Sequence, residues 1–173
     1  MRLLTILSVL FVLSCTSTTV DQAEIVMGLE MEGENTVDIV PGPLKSTEVV
    51  KAYFKAYNMV DLEAVSALEH DDVTFFTPNG TVISGKEEHM KLSKVFLGAN
   101  ENAVWDIKWS MSSEVNFKEK AVENWVTTGL ELSYGPDTAR VAISRIADLM
   151  IVDGKVKKGY IYQRELTESE KKN

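Results

Sequence analysis

The sequence predicts an α+β fold, because three helical segments and one short hairpin precede four long strands. Between residues 46 and 98, apolar residues recur mostly at the spacing of three and four that marks an amphipathic helix. Beyond residue 102, apolar and polar residues alternate over long runs, as in strands with one buried face. Helices grouped ahead of antiparallel strands are typical of the α+β class.

The three predicted helices each begin at a capping signal. Ser46 is expected to cap the first helix, whose apolar face consists of Val49, Val50, Tyr53, Phe54 and Tyr57. Asp61 is expected to cap a second, short helix. Ser84 and Glu87 have the spacing of a capping box, which would begin a third helix that ends near Gly98.

The strands are delimited by turn residues. Residues 73–77 and 81–83 are expected to pair through Pro78-Asn79-Gly80, because Asn-Gly favours tight hairpin turns. The later strands are predicted at residues 103–111, 121–134, 140–152 and 155–165. The strand at 121–134 is apolar on both faces, so we expect it to lie centrally in the sheet.

The N-terminus has the features of a secretory signal. Arg2 precedes an apolar run that is too short to span a bilayer, and Cys15 follows it directly. The segment from Val12 to Cys15 resembles the lipobox of bacterial lipoproteins. That resemblance implies lipidation of Cys15, attachment to the cell envelope and, because Thr16 is not an aspartate, the outer membrane facing the periplasm or the surface. An ordinary signal peptide followed by an unrelated cysteine is the alternative.

Composition excludes several classes of partner. The chain carries 18 basic and 26 acidic residues, a net charge of −8, which argues against binding nucleic acid. A single cysteine excludes an intrachain disulfide, and two histidines give little support for a metal site. No cofactor is implied.

The predicted organisation is a signal peptide at 1–14, a flexible tether at 15–44, a domain at 45–166 and a charged tail at 167–173. The tether contains two apolar islands that could dock on the domain as edge strands.

Two motifs resemble the nuclear transport factor 2-like superfamily, in its SnoaL-like branch. The first runs from Asp71 to Gly80 and continues through the Gly-Lys-Glu sequence at 85–87; the second is the hairpin sequence Asp-Gly-Lys-Val at 153–156. The resemblance covers residues 46–165. It implies a cone, in which a curved antiparallel sheet wraps around three N-terminal helices and encloses a pocket, and it implies pairing into homodimers.

Such a pocket would bind a small, partly apolar ligand. The expected lining residues are aromatic, with one arginine: Tyr53, Tyr57, Trp105, Trp109, Trp125, Tyr160, Tyr162 and Arg164. Enzymes of the family often carry an acidic residue near the end of the last strand. This chain has Gln163 and Arg164 there, which puts an activity of cyclase or isomerase type in doubt.

Three functions therefore stay open. The first is ligand binding without catalysis. The second is a dehydratase, isomerase or hydrolase that uses Asp72, His89 or Asp148, with a tyrosine as hydrogen-bond donor. The third is a dimeric envelope scaffold that binds a protein partner. A carboxylate and a tyrosine within hydrogen-bond reach inside one cavity would favour the enzyme.

Overall fold

The computed structural model describes residues 25–117, 120–167 and 169–170. The predicted signal peptide and Cys15 lie outside the described residues. In the described part, eight strands and three helices form a single α+β unit in which one curved sheet wraps around the helices.

The helices are α1 (Leu44–Asn58), α2 (Leu62–Ala67) and α3 (Lys86–Ala99). The strands are β1 (Gly28–Glu32), β2 (Asn35–Pro41), β3 (Glu69–Phe76), β4 (Val82–Ser84), β5 (Val104–Val115), β6 (Glu123–Tyr134), β7 (Val141–Val152) and β8 (Lys155–Glu165). They are ordered β1-β2-β5-β6-β7-β8-β3-β4, so β6 lies centrally, as predicted. The sheet is mixed rather than antiparallel throughout, because β3 runs parallel to β8.

Part of the predicted tether belongs to the sheet. β1 and β2 form a hairpin, and β2 pairs with β5 through Ile39 and Val115. Val40 and Val115 are both buried there. This pairing provides hydrogen bonds for backbone N–H and C=O groups of β5 that would otherwise be unpaired at the edge of the sheet. The apolar island at 37–40 therefore docks as a strand, whereas residues 25–27 form no strand.

The capping predictions have different outcomes. Asp61 caps α2, since its side chain accepts a hydrogen bond from the backbone N–H of Ala64 at 2.9 Å. The prediction that Ser46 caps α1 is wrong, because Pro43 occupies the cap position and the helix begins at Leu44, three residues earlier than predicted. The predicted capping box is also wrong: Ser84 ends β4, and Gly85, at a φ of 88°, precedes α3 without a side-chain cap.

The hairpin between β7 and β8 has the predicted turn. Asp153 and Gly154 both adopt positive φ, 49° and 72°. Two successive residues of this kind form the tight turn that matches the twist of paired strands. The turn and a β-bulge at Lys157, an extra residue in β8, together set the register in which Arg145 of β7 lies opposite Gln163 of β8.

A β-bulge in β5 reverses which side chains face inward. Ile107 pairs with Leu130, but Trp109 pairs with Gly129, so Lys108 is an extra residue in the strand. One extra residue moves every later side chain to the other face. Trp105 is therefore buried whereas Trp109 is 48% exposed. The predicted single apolar face of residues 103–111 is wrong beyond the bulge.

The core lies between the helices and the inner face of the sheet. Its fully buried members include Val50 of α1, Val73 of β3, Leu132 of β6 and Leu149 of β7. Among the described residues, Glu69 at the start of β3 is the one buried residue of a type that is normally charged at neutral pH, and it has no exposed surface. A wholly buried acidic side chain is rare and requires partners that satisfy it.

Candidate functional site

A cavity of about 480 Å³ lies between helices α1 and α3 and the inner face of the sheet. That volume is in the range of pockets that hold small organic molecules. The wall is mostly apolar and aromatic. It consists of Tyr53, Phe54, Tyr57, Phe75, Thr77, Pro78, Asn79, Thr81, Ile83, His89, Leu92, Ser93, Phe96, Trp105, Arg145, Leu149, Ile161 and Gln163.

His89 and Glu69 form a hydrogen-bonded pair beside the cavity. His89 Nδ1 lies 2.7 Å from Glu69 Oε1. Glu69 Oε1 also accepts from the Tyr53 hydroxyl, and the tautomer of His89 that suits an acceptor carries its proton on Nδ1 and donates it. This hydrogen bond leaves Nε2 as the ring nitrogen available to a ligand. The ring of Phe75 packs on the imidazole with centroids 4.1 Å apart and helps to hold its orientation.

Two tyrosines of α1 complete the cluster. The Tyr53 hydroxyl donates to Glu69 Oε1 at 2.5 Å. The Tyr57 hydroxyl lies 2.8 Å from Ser93 Oγ and 3.4 Å from His89 Nε2. The two tyrosines are four residues apart on one helix, so both reach the same side of the cavity. Glu69 Oε2 has no hydrogen-bond partner among the described residues.

Burial keeps both phenols protonated. Loss of solvation raises the pKa of Tyr53 well above its ordinary value, and the neighbouring Tyr57 and Glu69 raise that pKa further. Burial likewise raises the pKa of Tyr57, and its hydrogen bond with Ser93 offsets this only in part. Both hydroxyls are therefore hydrogen-bond donors at neutral pH.

A second polar pair lies on strands β7 and β8. Arg145 donates from Nε and Nη2 to Gln163 Oε1, at 3.2 and 3.0 Å. Burial lowers the pKa of the Arg145 guanidinium, although Tyr134 nearby acts in the opposite direction. An arginine nevertheless stays charged at physiological pH. The Gln163 side chain is exposed, so this pair lies at the opening of the cavity.

Three of the eight predicted lining residues are brought together in the cavity wall: Tyr53, Tyr57 and Trp105. Five lie elsewhere. Trp125 and Tyr160 stack on the opposite face of the sheet with centroids 5.9 Å apart, and Tyr162 is 60% exposed. Trp109 and Arg164 line a surface depression of about 310 Å³ that adjoins the cavity at Arg145, which lines both.

Strand parity explains these positions. On β8, Ile161 and Gln163 face the cavity, so Tyr160, Tyr162 and Arg164 face away. On β6, Val126 and Leu130 point into the core, which places Trp125 on the other side. The alternation within each strand was evident from the sequence, but which face lies inward was not.

The three acid–base candidates are separated by the fold. His89 lines the cavity. Asp72 is exposed and forms an ion pair with Lys157 on the outside of the sheet, which lowers the pKa of its carboxyl. Asp148 accepts a hydrogen bond from Thr127 at 2.8 Å, and the neighbours on either side of it, Ala147 and Leu149, are the buried ones. Neither aspartate lines the cavity.

The sequence analysis did not predict the polar groups Glu69, Ser93 and Arg145 as part of the site. It named Gln163 only as a position without an acid, and not as a residue that lines the cavity. Glu69 lies in the sequence Glu-His-Asp-Asp, which resembles a solvated loop. Strand alternation does not predict the burial of Glu69, because the register of β3 shifts between Glu69 and Thr74, and Asp71, of the same parity, is exposed. Strand β3 begins four residues earlier than predicted, and this extension buries Glu69.

The described residues contain no group of three or more His, Cys, Asp and Glu side chains arranged to hold a metal ion. None of the helices described is long and apolar enough to cross a membrane.

Comparison with solved structures identifies the fold as nuclear transport factor 2-like, of the SnoaL-like kind. An NTF-2 like protein of unknown function from Burkholderia xenovorans LB400 aligns with a TM-score of 0.52 at 17% identity, over 72% of this chain and 86% of that one. An LEH-like epoxide hydrolase from M. tuberculosis aligns with a TM-score of 0.55 at 17% identity, over 69% and 83% of the two chains.

A third structure contains a bound small molecule. It is a protein with a ketosteroid isomerase-like fold from Catenulispora acidiphila DSM 44928, in complex with trimethylamine. It aligns with a TM-score of 0.51 at 14% identity, over 71% of this chain and 88% of that one. No family model and no curated protein matches the sequence. At these identities the comparisons define the fold.

Proposed function

We propose that this protein binds a small, largely apolar organic molecule in the cavity and catalyses proton transfer on it. The observation that carries the proposal is the hydrogen bond from His89 Nδ1 to the wholly buried Glu69. The Tyr53 hydroxyl donates to the same carboxylate, and the Tyr57 hydroxyl lies near the other ring nitrogen of His89. A carboxylate and a tyrosine thus meet beside one cavity, although Gln163 and Arg164 stand near the end of the last strand, where enzymes of the family often carry an acid. Enzymes orient a histidine base in this way, with a carboxylate on one ring nitrogen and the substrate at the other.

The proposed step uses His89 as the base. The lone pair on Nε2 takes a proton from a C–H group of the substrate, and the electron pair of that bond moves into the substrate. The imidazolium that forms keeps its Nδ1–H on Glu69, whose negative charge stabilises it. Returning the proton to another carbon completes an isomerisation, and loss of a leaving group with the proton completes an elimination.

The tyrosines support this step in different ways. Tyr57 lies close enough to His89 Nε2 to donate to an oxygen of a substrate bound there. Tyr53 donates to Glu69 and holds the carboxylate beneath the imidazole. The apolar wall excludes water, which strengthens both interactions. The small-molecule chemistry in the name of the M. tuberculosis neighbour is consistent with a cavity of this kind.

The test uses 5-nitrobenzisoxazole, an apolar probe that reports on proton removal. A base takes the proton on C3 of the isoxazole ring, the electron pair of that bond forms the nitrile as the N–O bond breaks, and the coloured 2-cyano-4-nitrophenolate is released. We expect a saturable rate with the wild-type protein and a loss of roughly 100-fold in His89→Gln, the order of a general-base contribution. Asp72→Asn and Asp148→Asn are the matched controls and should keep the wild-type rate.

Binding without catalysis is the second candidate, and the apolar wall and the absence of an acid at residue 163 favour it. The same experiment separates the two. If the probe binds but its reaction is no faster than in buffer, or if His89→Gln retains the full rate, the catalytic proposal fails and the binding proposal remains.

We further propose that Cys15 anchors the protein in the bacterial cell envelope, on the strength of the lipobox-like sequence alone. Two or more acyl chains would hold the domain stably at a membrane, since each buried methylene contributes about 0.8 kcal/mol. The full-length protein should incorporate labelled palmitate and enter the detergent phase on Triton X-114 partitioning. Incorporation that persists in Cys15→Ser would contradict the assignment.

Homodimerisation through the outer face of the sheet is also proposed. Trp109, Met111 and Tyr162 are exposed there by 48%, 49% and 60%. Aromatic residues and methionine are enriched at interfaces, and burial in a dimer would remove them from water. Light scattering of the domain should give the mass of a dimer, and Trp109→Lys should give a monomer. A wild-type monomer at high concentration would refute the proposal and favour a different partner for this face.

A further inference from the structure

The charge of the cavity wall differs from that of the protein. The whole chain has a net charge of −8, yet none of the described residues that line the cavity is an aspartate or glutamate. Arg145 is the one lining residue with a permanent charge, since His89 is already engaged with Glu69. An acidic protein therefore presents a cation at the opening of its apolar cavity.

Arg145 lacks a counter-charge within the described part of the chain. Its two hydrogen bonds to described residues both go to the neutral amide oxygen of Gln163, and no described carboxylate forms an ion pair with it. Glu165 follows Gln163 on the same strand face, but it does not line the cavity. A partly buried, unpaired cation is costly, and an anionic ligand would remove that cost.

The hydrogen bonds to Gln163 leave one nitrogen of the Arg145 guanidinium group able to donate to a ligand. The guanidinium uses Nε and Nη2 for Gln163, and Nη1 makes no hydrogen bond to a described residue. Because Gln163 Oε1 accepts from Arg145, its amide nitrogen is left as a donor on the same side. A carboxylate can accept from a guanidinium and from an amide at the same time.

From these contacts we propose that the ligand of the cavity is an apolar molecule that carries a carboxylate, which pairs with Arg145 at the opening. The proposal rests on the proposed function and names the substrate class. Gln163 is a positioning residue that holds the guanidinium. The apolar body of the ligand extends inward toward His89, so the carboxylate fixes which carbon meets Nε2.

The experiment compares two probes that differ only in charge, 2-naphthoate and 2-naphthamide. Binding is followed by the fluorescence of Trp105, with isothermal titration as a second measurement. We expect the wild type to bind naphthoate at least tenfold more tightly at low salt, and Arg145→Gln to bind the two probes equally. The preference should weaken as salt is added.

Two variants sharpen the test. Arg164→Gln removes an arginine one residue beyond Gln163 that does not line the cavity and is paired with Glu170, and it should keep the wild-type preference. Gln163→Glu places a carboxylate against the guanidinium, so it should abolish the preference for naphthoate.

The outcomes distinguish this inference from the proposed function. If both probes bind the wild type equally, or if Arg145→Gln keeps the preference, the carboxylate proposal is overturned while His89-dependent proton transfer stands on its own assay. If neither probe binds at all, the carboxylate proposal is likewise overturned, and the 5-nitrobenzisoxazole assay alone decides the proton-transfer proposal.

Discussion

His89 donates its Nδ1 proton to Glu69 across 2.7 Å, and the Glu69 side chain has no contact with solvent. The two residues come from different elements, α3 and the start of β3. The pair lies beneath a cavity whose wall is mostly apolar. Since a buried carboxylate can stabilise a neighbouring imidazolium strongly, this relationship determines what the site can do.

Glu69→Gln should weaken proton transfer without emptying the cavity. Glutamine keeps an oxygen for Tyr53 and His89, but it removes the negative charge that stabilises the imidazolium. We expect the turnover of 5-nitrobenzisoxazole to fall by roughly 100-fold with little change in its KM. Steady-state kinetics measure both constants. A rise in KM with unchanged kcat would instead assign Glu69 to binding.

Tyr53 and Tyr57 should make the folded protein sensitive to alkali. Burial raises both pKa values above the ordinary 10.0, so the folded state resists ionisation that the unfolded chain undergoes. The stability from these phenols is fully present below pH 10 and is lost as the pH rises above it. Urea unfolding between pH 9 and about 11 should show this decline, and Tyr53→Phe combined with Tyr57→Phe should flatten it.

Gly159→Ala should destabilise the domain by about 1–3 kcal/mol, because a Cβ there would overpack the core. That atom would lie 2.6 Å from a ring carbon of Phe75 and 2.8 Å from Leu149. Gly98→Ala is the matched control, since Gly98 lies in α3 with open space around it. The same change there should stabilise the helix by about 0.5–1 kcal/mol. Urea unfolding of both variants checks the opposite signs.

Glu170 should titrate at unusually low pH in the folded protein. Hydrogen bonds from Arg164 and from Thr167 lower the pKa of its carboxyl from 4.5 to about 2. Because the folded pKa is depressed, this contact is complete above pH 4.5 and is lost as the pH falls through about 2. Carbon-detected NMR of the side chain measures the value directly. Arg164→Gln should return it toward 4.5, and an unchanged value would show that the contact is absent in solution.

Much of the fold could be predicted from local patterns. The alternation of apolar residues and the Asp153-Gly154 turn located β7 and β8, with β8 placed at its observed bounds. The stripe at 49–57 located α1 and with it Tyr53 and Tyr57. These features were predictable because period and turn chemistry depend on neighbours in the sequence. The parallel pairing of β3 with β8 joins segments about 80 residues apart and has no such local signal.

The amino-acid sequence by itself determined that the helices and strands form an α+β domain and that α1 would present two tyrosines on one face. Only the tertiary structure decided the site. One extra residue at Lys108 turned Trp109 outward, and the extension of β3 brought Glu69 under His89, 20 residues away. Local periodicity fixes which side chains share a face, but the packing of distant segments decides which face is buried and which polar groups meet there.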